Sequence, residues 1–180
     1  MKKVFAMLPV AVFAVLVGFF IYRLVLIDHG DTPNLIPSVM IGRSAPAFDL
    51  PPLFDGQPHF AAKDLQGKVT LINFFASWCE ACRAEHGFLG EVKQAGIRLI
   101  GIDYKDDPKD AKAWLARMGD PYDEVVTDAD GRTAINFGLY GVPESYLIDK
   151  KGVIRFKQTG ELTPDVIRSQ VVPLARELSR

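Results

Sequence analysis

The sequence predicts an α/β domain with a central mixed sheet and helices on both faces, preceded by one apolar helix long enough to cross a membrane. Three observations predict it: a 19-residue uncharged run near the amino terminus, strand-like runs alternating with helical periodicity, and two final strands separated by a turn. With 180 residues, 48% hydrophobic and 24% charged, the chain has material for one cored domain and an accessory segment.

Val4 to Tyr22 carry no charge over 19 positions, and as a helix such a run extends about 28 Å, close to the hydrocarbon thickness of a bilayer. Lys2 and Lys3 precede it and only Arg23 follows closely, so the positive-inside bias keeps the amino terminus cytoplasmic and sends the rest of the chain across. A cleaved signal peptide needs small residues before its cut, and the stretch Phe19 to Ile27 has none. The expectation is an uncleaved anchor over residues 1–27. Gly30, Pro33 and Pro37 mark residues 28–40 as a tether, with the folded domain over 41–180.

Within the domain, Leu53-Phe54 and His59-Phe60 flank the turn-prone Asp55-Gly56 and predict a small hairpin. Residues 68–76, a lysine followed by Val-Thr-Leu-Ile-Asn-Phe-Phe-Ala, suit a central strand buried on both faces. Cys82, Phe88, Leu89 and Val92 fit one amphipathic helix from Cys79 to near Gly96. A strand over 97–103 follows. Asp107-Pro108 then supplies the cap and first-turn proline of a helix whose Ala111, Trp114, Leu115 and Met118 form an apolar stripe closed by Gly119. A short strand over 124–127 and a helix over 131–137 lead to strands 144–149 and 153–159, joined across Lys150-Lys151-Gly152. Thr163-Pro164 opens the last helix, which Pro173 kinks.

Residues 28–180 hold all 22 acidic residues and 18 of the 21 basic ones, a net charge of −4. That balance argues against nucleic acid as a partner.

Cys79 and Cys82 are the only cysteines. A staple across so short a loop removes only about 2 kcal/mol of chain entropy, little for a domain otherwise free of cysteine. Zinc or copper needs further thiolate or imidazole ligands. His86 alone is near the pair, with His29 in the tether and His59 in the expected hairpin. The favoured reading is redox chemistry with no metal.

A buried strand that delivers Cys79-Glu80-Ala81-Cys82 to the first turn of a helix places the cysteines at i and i+3, close enough for a disulfide. Cys79, at the helix end where unpaired N–H groups favour negative charge, is the expected nucleophile, and Cys82 the resolving thiol. Cys79 attacks a partner disulfide, and Cys82 then attacks the mixed disulfide to release the reduced partner, without a cofactor. Glu80, Glu85 and Glu144 add acid around the pair. A carboxylate about 6 Å from a thiolate costs about 0.7 to 2.8 kcal/mol for effective dielectrics of about 80 to 20. Thiolate formation is therefore opposed, with Arg83 offsetting part of the effect, and the couple shifts towards reductant. Glu144, if partly buried beside the thiols, can pass a proton to or from Cys82.

Phe75-Ala76-Ser77-Trp78-Cys79-Glu80-Ala81-Cys82-Arg83-Ala84-Glu85-His86 and Gly138-Leu139-Tyr140-Gly141-Val142-Pro143-Glu144-Ser145-Tyr146-Leu147-Ile148-Asp149, with the opening Ile41-Gly42-Arg43-Ser44-Ala45-Pro46-Ala47-Phe48-Asp49-Leu50-Pro51, resemble the DsbE/CcmG group of periplasmic thioredoxin-like proteins. The resemblance covers nearly the whole chain. It implies a thioredoxin fold with a hairpin extension and a cis peptide before Pro143 facing the cysteines. It also implies a substrate site at Trp78, Val142 and Pro143, where the Val142 backbone pairs with an extended partner segment. Asn73 stands where thioredoxins usually have a buried aspartate, and Ala81 where they usually have proline. Asparagine cannot relay a proton, which leaves that part to Glu144 or Glu85.

The resemblance further implies a single-pass protein of the bacterial inner membrane with a periplasmic domain. Its substrate would be an oxidised CxxCH segment of apocytochrome c, or a thiol carrier bound to it. Its electrons would come from a membrane thiol reductant of the DsbD or CcdA kind. Two alternatives share many of these features: a general periplasmic thiol reductase of the TlpA or ResA kind, and a module that binds apocytochrome without turnover.

Overall fold

The computed structural model describes residues 2–28 and 39–180, with side chains in the first segment described for Pro9 and residues 11–25. The chain divides into two compact units, Met1–Pro37 and Ser38–Arg180. The first contains helix α1 (Lys2–Asp28). Among the described residues no helix is long and apolar enough to cross a membrane. The side chains described for α1 cover less than the about 20 residues a span needs. Of the expected tether, residues 29–38 lie outside the described residues.

In the second unit a five-stranded sheet runs in the order β5-β4-β3-β6-β7. β3 (Thr70–Phe75), buried at every position, is its centre. β4 (Arg98–Tyr104) and β5 (Glu124–Asp128) lie parallel to it on one side, while on the other β6 (Glu144–Ile148) runs antiparallel to β3 and β7 (Ile154–Thr159) antiparallel to β6. The sheet is mixed because the connection from β5 through helix α5 (Arg132–Asn136) returns β6 antiparallel to β3, and a hairpin turn then adds β7.

Strand alternation divides the core. Leu71 and Phe75 face one cluster, which holds both cysteines, Trp114 and Ile167; Ile72 and Phe74 face the other, with Phe137 and Tyr146. Helix α4 (Pro108–Met118) begins as its sequence indicates, with Asp107 Oδ1 accepting from Lys109 N at 2.8 Å and Pro108 in the first turn. Helix α5 (Arg132–Asn136) covers the opposite face through Ala134.

Three expectations need correction. The hairpin across Asp55-Gly56 does not form: β1 (Asp49–Leu50) pairs instead with β2 (Phe60–Ala61). Between them the chain docks on β5, with Leu53 N donating to Val125 O at 2.8 Å and Thr127 N to Pro51 O at 3.0 Å. Leu53 is buried by that long-range contact, which wins over the local turn.

The single helix expected from Cys79 to near Gly96 is two, α2 (Glu80–His86) and α3 (Leu89–Gln94). Phe88 N bonds Glu85 O and Glu91 N bonds Phe88 O, each three residues back, so the spiral tightens around Gly87 and changes direction. Pro173 does more than kink its helix. The spiral runs as α6 (Pro164–Val166), a π-turn over Ile167–Val171, then α7 (Val172–Leu178). The wider turn lies where the proline ring would crowd the carbonyl four residues back.

Candidate active site

After Phe75 the chain turns through Ala76-Ser77-Trp78 into α2, with Cys79 as the N-cap in extended conformation. Cys79 and Cys82 are joined in a disulfide with a Cα–Cα separation of 5.3 Å. Both are buried. The Cys82 N–H donates to Cys79 Sγ at 3.0 Å, so one donor already points at the sulfur where charge develops when the bond opens. Because α2 has only seven residues, this donor matters more than a long helix dipole.

The loop after β4 holds the turn from outside. Ser77 N donates to Asp106 Oδ2 at 2.6 Å, and Trp78 Nε1 donates to Lys105 O at 3.3 Å. The Trp78 ring remains 58% exposed beside the cysteines.

On the cysteine face of the sheet, Glu85 lies one turn past Cys82 and is buried. Asn73 Nδ2 donates to its Oε1 at 2.7 Å, and Leu162 N donates to its Oε2 at 2.6 Å. Asn73 Nδ2 also donates to Ser145 Oγ at 3.1 Å, and the Tyr122 hydroxyl donates to Asn73 Oδ1 at 2.7 Å. Burial pushes the Glu85 carboxyl up to about 7, with both hydrogen bonds pulling the other way. Glu85 therefore exchanges its proton near neutral pH. Burial and the neighbouring Glu85 hold the Tyr122 hydroxyl protonated, as a donor.

Glu144 lies elsewhere. Alternation along β6 turns Glu144 and Tyr146 into the second cluster and Ser145 and Leu147 towards the first. The fully buried carboxylate accepts from Tyr140 N at 3.1 Å and the Tyr146 hydroxyl at 2.8 Å, and pairs with Lys157 Nζ at 3.0 Å. The expectation that Glu144 stands beside the thiols is corrected: strand alternation separates the two acids, and only Glu85 lies on the cysteine face. Glu80 is solvated, 3.7 Å from Arg83 in an exposed pair worth little.

The Val142–Pro143 peptide is cis. Pro143 is buried and its carbonyl accepts from Gly160 N at 3.0 Å, while Val142 packs against the cluster containing both cysteines. Among the described residues the Val142 N–H and C=O make no hydrogen bond. Val142 packs against the second cluster as well, so its unpaired main chain lies where the two faces of the sheet meet.

His86 turns away from the pair: its Nε2 donates to Gly119 O at 2.8 Å and its ring meets Trp114 edge-on at 4.4 Å. Among the described residues no three His, Cys, Asp or Glu side chains gather as metal ligands. Sequence reasoning missed Tyr122, Ser145 and the Leu162 amide, which complete the network around Asn73 and Glu85. Tyr122 follows Pro121 in a connection without periodicity, and an aromatic just ahead of a short buried strand was its only signal.

A sheet of this order that carries CxxC into the first turn of α2 and a cis-proline before β6 is the thioredoxin fold, and its class is the thiol-disulfide oxidoreductases. The Redoxin family model matches residues 40–172. The thiol:disulfide interchange protein DsbE of Pseudomonas aeruginosa is 40% identical over 178 residues, covering 99% of this chain and 96% of the relative. DsbE of Escherichia coli is 37% identical over 182 residues, 100% of this chain and 98% of the relative. A crystal structure assigned as DsbE from Chlorobium tepidum superposes with a TM-score of 0.62 at 27% identity, covering 75% of this chain and 96% of that one. The chain belongs to the Redoxin family and, within it, to the DsbE thiol:disulfide interchange proteins.

Proposed function

We propose that this oxidoreductase is a membrane-anchored reductant of periplasmic disulfides serving cytochrome c maturation. The observation that carries the redox direction is the burial of Glu85 one turn beyond Cys82, which pushes its carboxyl up towards neutral pH. Cys79 thiolate attacks the partner disulfide, and the first partner sulfur leaves as a thiolate. Cys82 gives its proton to Glu85 as it attacks Cys79, and the second partner sulfur leaves. The partner gains two electrons, and the Cys79–Cys82 disulfide holds the oxidised state. Ionised Glu85 opposes thiolate in the reduced protein and accepts the proton released on oxidation, so both effects favour electron donation.

The open Val142 backbone and the exposed Trp78 ring support docking of an extended segment of the partner. Anchoring is supported by the 19-residue uncharged run, which lies within the 27-residue helix α1. The two long motifs, and relatives that bear the DsbE name, support an oxidised CxxCH segment of apocytochrome c, or its thiol carrier, as substrate. A membrane thiol reductant of the DsbD or CcdA kind then returns the electrons.

A Cys82→Ser variant of the full chain, expressed in cells, traps the partner on Cys79. Recovery of apocytochrome c or a cytochrome-assembly protein is expected. Recovery of unrelated periplasmic proteins alone would reject the maturation role and favour a general reductase. A Cys79→Ser variant that still supports maturation would make the domain a binding module. The midpoint potential should lie nearer the about −270 mV of thioredoxin than the about −120 mV of a disulfide-forming oxidant.

A further inference from the structure

Beneath the loop that leads to Pro143 lies a buried ion pair that the exchange chemistry does not use. Lys157, opposite Tyr146 on β7, has a side chain only 4% exposed, and its partner Glu144 is 0% exposed. Lys157 Nζ pairs with Glu144 Oε2 at 3.0 Å and donates to Gly138 O at 2.9 Å. It also lies over the Tyr140 ring, 4.6 Å from the centroid, and 5.3 Å from that of Tyr146. The other oxygen of Glu144 accepts from Tyr140 N at 3.1 Å. Lys157 and Glu144 thus hold the approach to Pro143 by the Gly138 carbonyl, the Tyr140 amide and the Tyr140 ring.

A buried ion pair is a poor device for stability, since desolvating two charges offsets most of their attraction and apolar residues of similar volume serve as well. What apolar residues cannot do is hold a carbonyl and an amide of one short loop at once. The segment so held ends two residues before Val142, whose N–H and C=O are unpaired among the described residues. Tyr140, 86% exposed while seated on the Lys157 ammonium, presents the outer side of its ring next to that edge.

We infer that Lys157 is a positioning residue for peptide docking: through Glu144 and the Gly138 carbonyl it sets the loop that presents the Val142 backbone and the Tyr140 ring to a disulfide-bearing peptide. The inference rests on the docking reading of Val142 and Pro143 given above. The step it governs is recognition, before any electron moves.

The test uses the reduced full chain and two oxidants: hydroxyethyl disulfide, too small to dock, and a disulfide-closed CxxC peptide. The wild type is expected to react faster with the peptide; equal rates would remove the docking reading itself. Lys157→Met is expected to lower the ratio of peptide rate to small-disulfide rate about tenfold, the scale of losing one hydrogen bond to a charged group. Lys157→Arg should recover part of that ratio. Glu144→Gln, which keeps the shape of the side chain, is measured in the same way and should fall in the same direction. A wild-type peptide preference that survives unchanged in these variants overturns the role of Lys157 alone, whether or not both rates drop together.

Discussion

Asn73 gives its side-chain amide to Glu85 at 2.7 Å, across the floor of the cysteine site. The same amide reaches Ser145, and its oxygen receives the Tyr122 hydroxyl. Asn73 cannot be an acid, and its task is to hold one. With every neighbour of Asn73 neutral except Glu85, the charge state of the network is decided at a single carboxyl. That carboxyl is then free to follow the redox state of Cys82.

Glu85→Gln should slow reduction of a protein disulfide about a hundredfold at pH 7, the usual worth of a positioned proton carrier. The pH–rate profile should also lose the inflection near the Glu85 value of about 7. Stopped-flow kinetics over pH 5 to 9 read both, and an inflection that survives in the variant assigns it to another group.

The same carboxyl makes stability depend on pH. Its ordinary value is 4.5 and its folded value about 7, so between the two the folded chain keeps a proton that the unfolded chain has lost. Stability therefore falls as pH rises through that window and stays low above it, by about 3 kcal/mol in all. Glu85→Gln should flatten the decline between pH 5 and 7 in denaturant titrations. An identical slope in the variant would show that the carboxyl is solvated in solution.

Much of this site was legible in the sequence. The run of apolar residues around Asn73 indicates a strand buried on both faces, and Cys79-Glu80-Ala81-Cys82 directly after it indicates the strand-to-helix turn. Lys157 was not legible. From Ile154 onward, alternation puts Phe156 on the same face and Lys157 on the other. The register shift opposite Leu147 and Ile148 makes Arg155 the extra residue, so Ile154 joins the second cluster and Phe156 packs on the first. That bulge turns Lys157 inward, onto Tyr146 and Glu144. The break at Gly87 was equally hidden, since Cys82, Leu89 and Val92 fit one straight helix as well as two bent ones.

Asn73→Asp should impair the site although it restores the residue usual in thioredoxins. The change removes the donor to Glu85 and Ser145 and sets two carboxyls at hydrogen-bond distance, so one of them stays protonated well above neutral pH. A loss of about 1 to 3 kcal/mol in unfolding free energy is expected at pH 7. Urea titrations at pH 5 and pH 8 should show the larger loss at pH 8, where the unfolded chain ionises both acids and the folded pair must keep a proton. Equal losses would sink the like-charge explanation.

Asp103 closes the first cluster at the end of β4, buried, with neither oxygen accepting a hydrogen bond among the described residues. Burial, then the charge of Asp106, push its carboxyl from 3.8 up to about 8. A protonated Asp103 avoids a second buried charge near Asp106, which accepts from Ser77 N two residues before Cys79. The folded chain holds this proton where the unfolded chain has lost it, so stability falls as pH rises from 3.8 towards about 8. Asn at this position imitates the protonated acid at every pH. Asp103→Asn should therefore leave stability near pH 4 unchanged and raise it by at least about 1 kcal/mol at pH 9. In the wild type the ionised pair repels, and the Ser77 amide should lose protection from hydrogen exchange above pH 8, beyond the ordinary base-catalysed rise. In Asp103→Asn that protection should persist, because no second charge forms near Asp106 and it keeps the Ser77 amide. A Ser77 amide equally protected in both proteins at pH 9 would show that Asp103 does not reach the turn that carries Cys79.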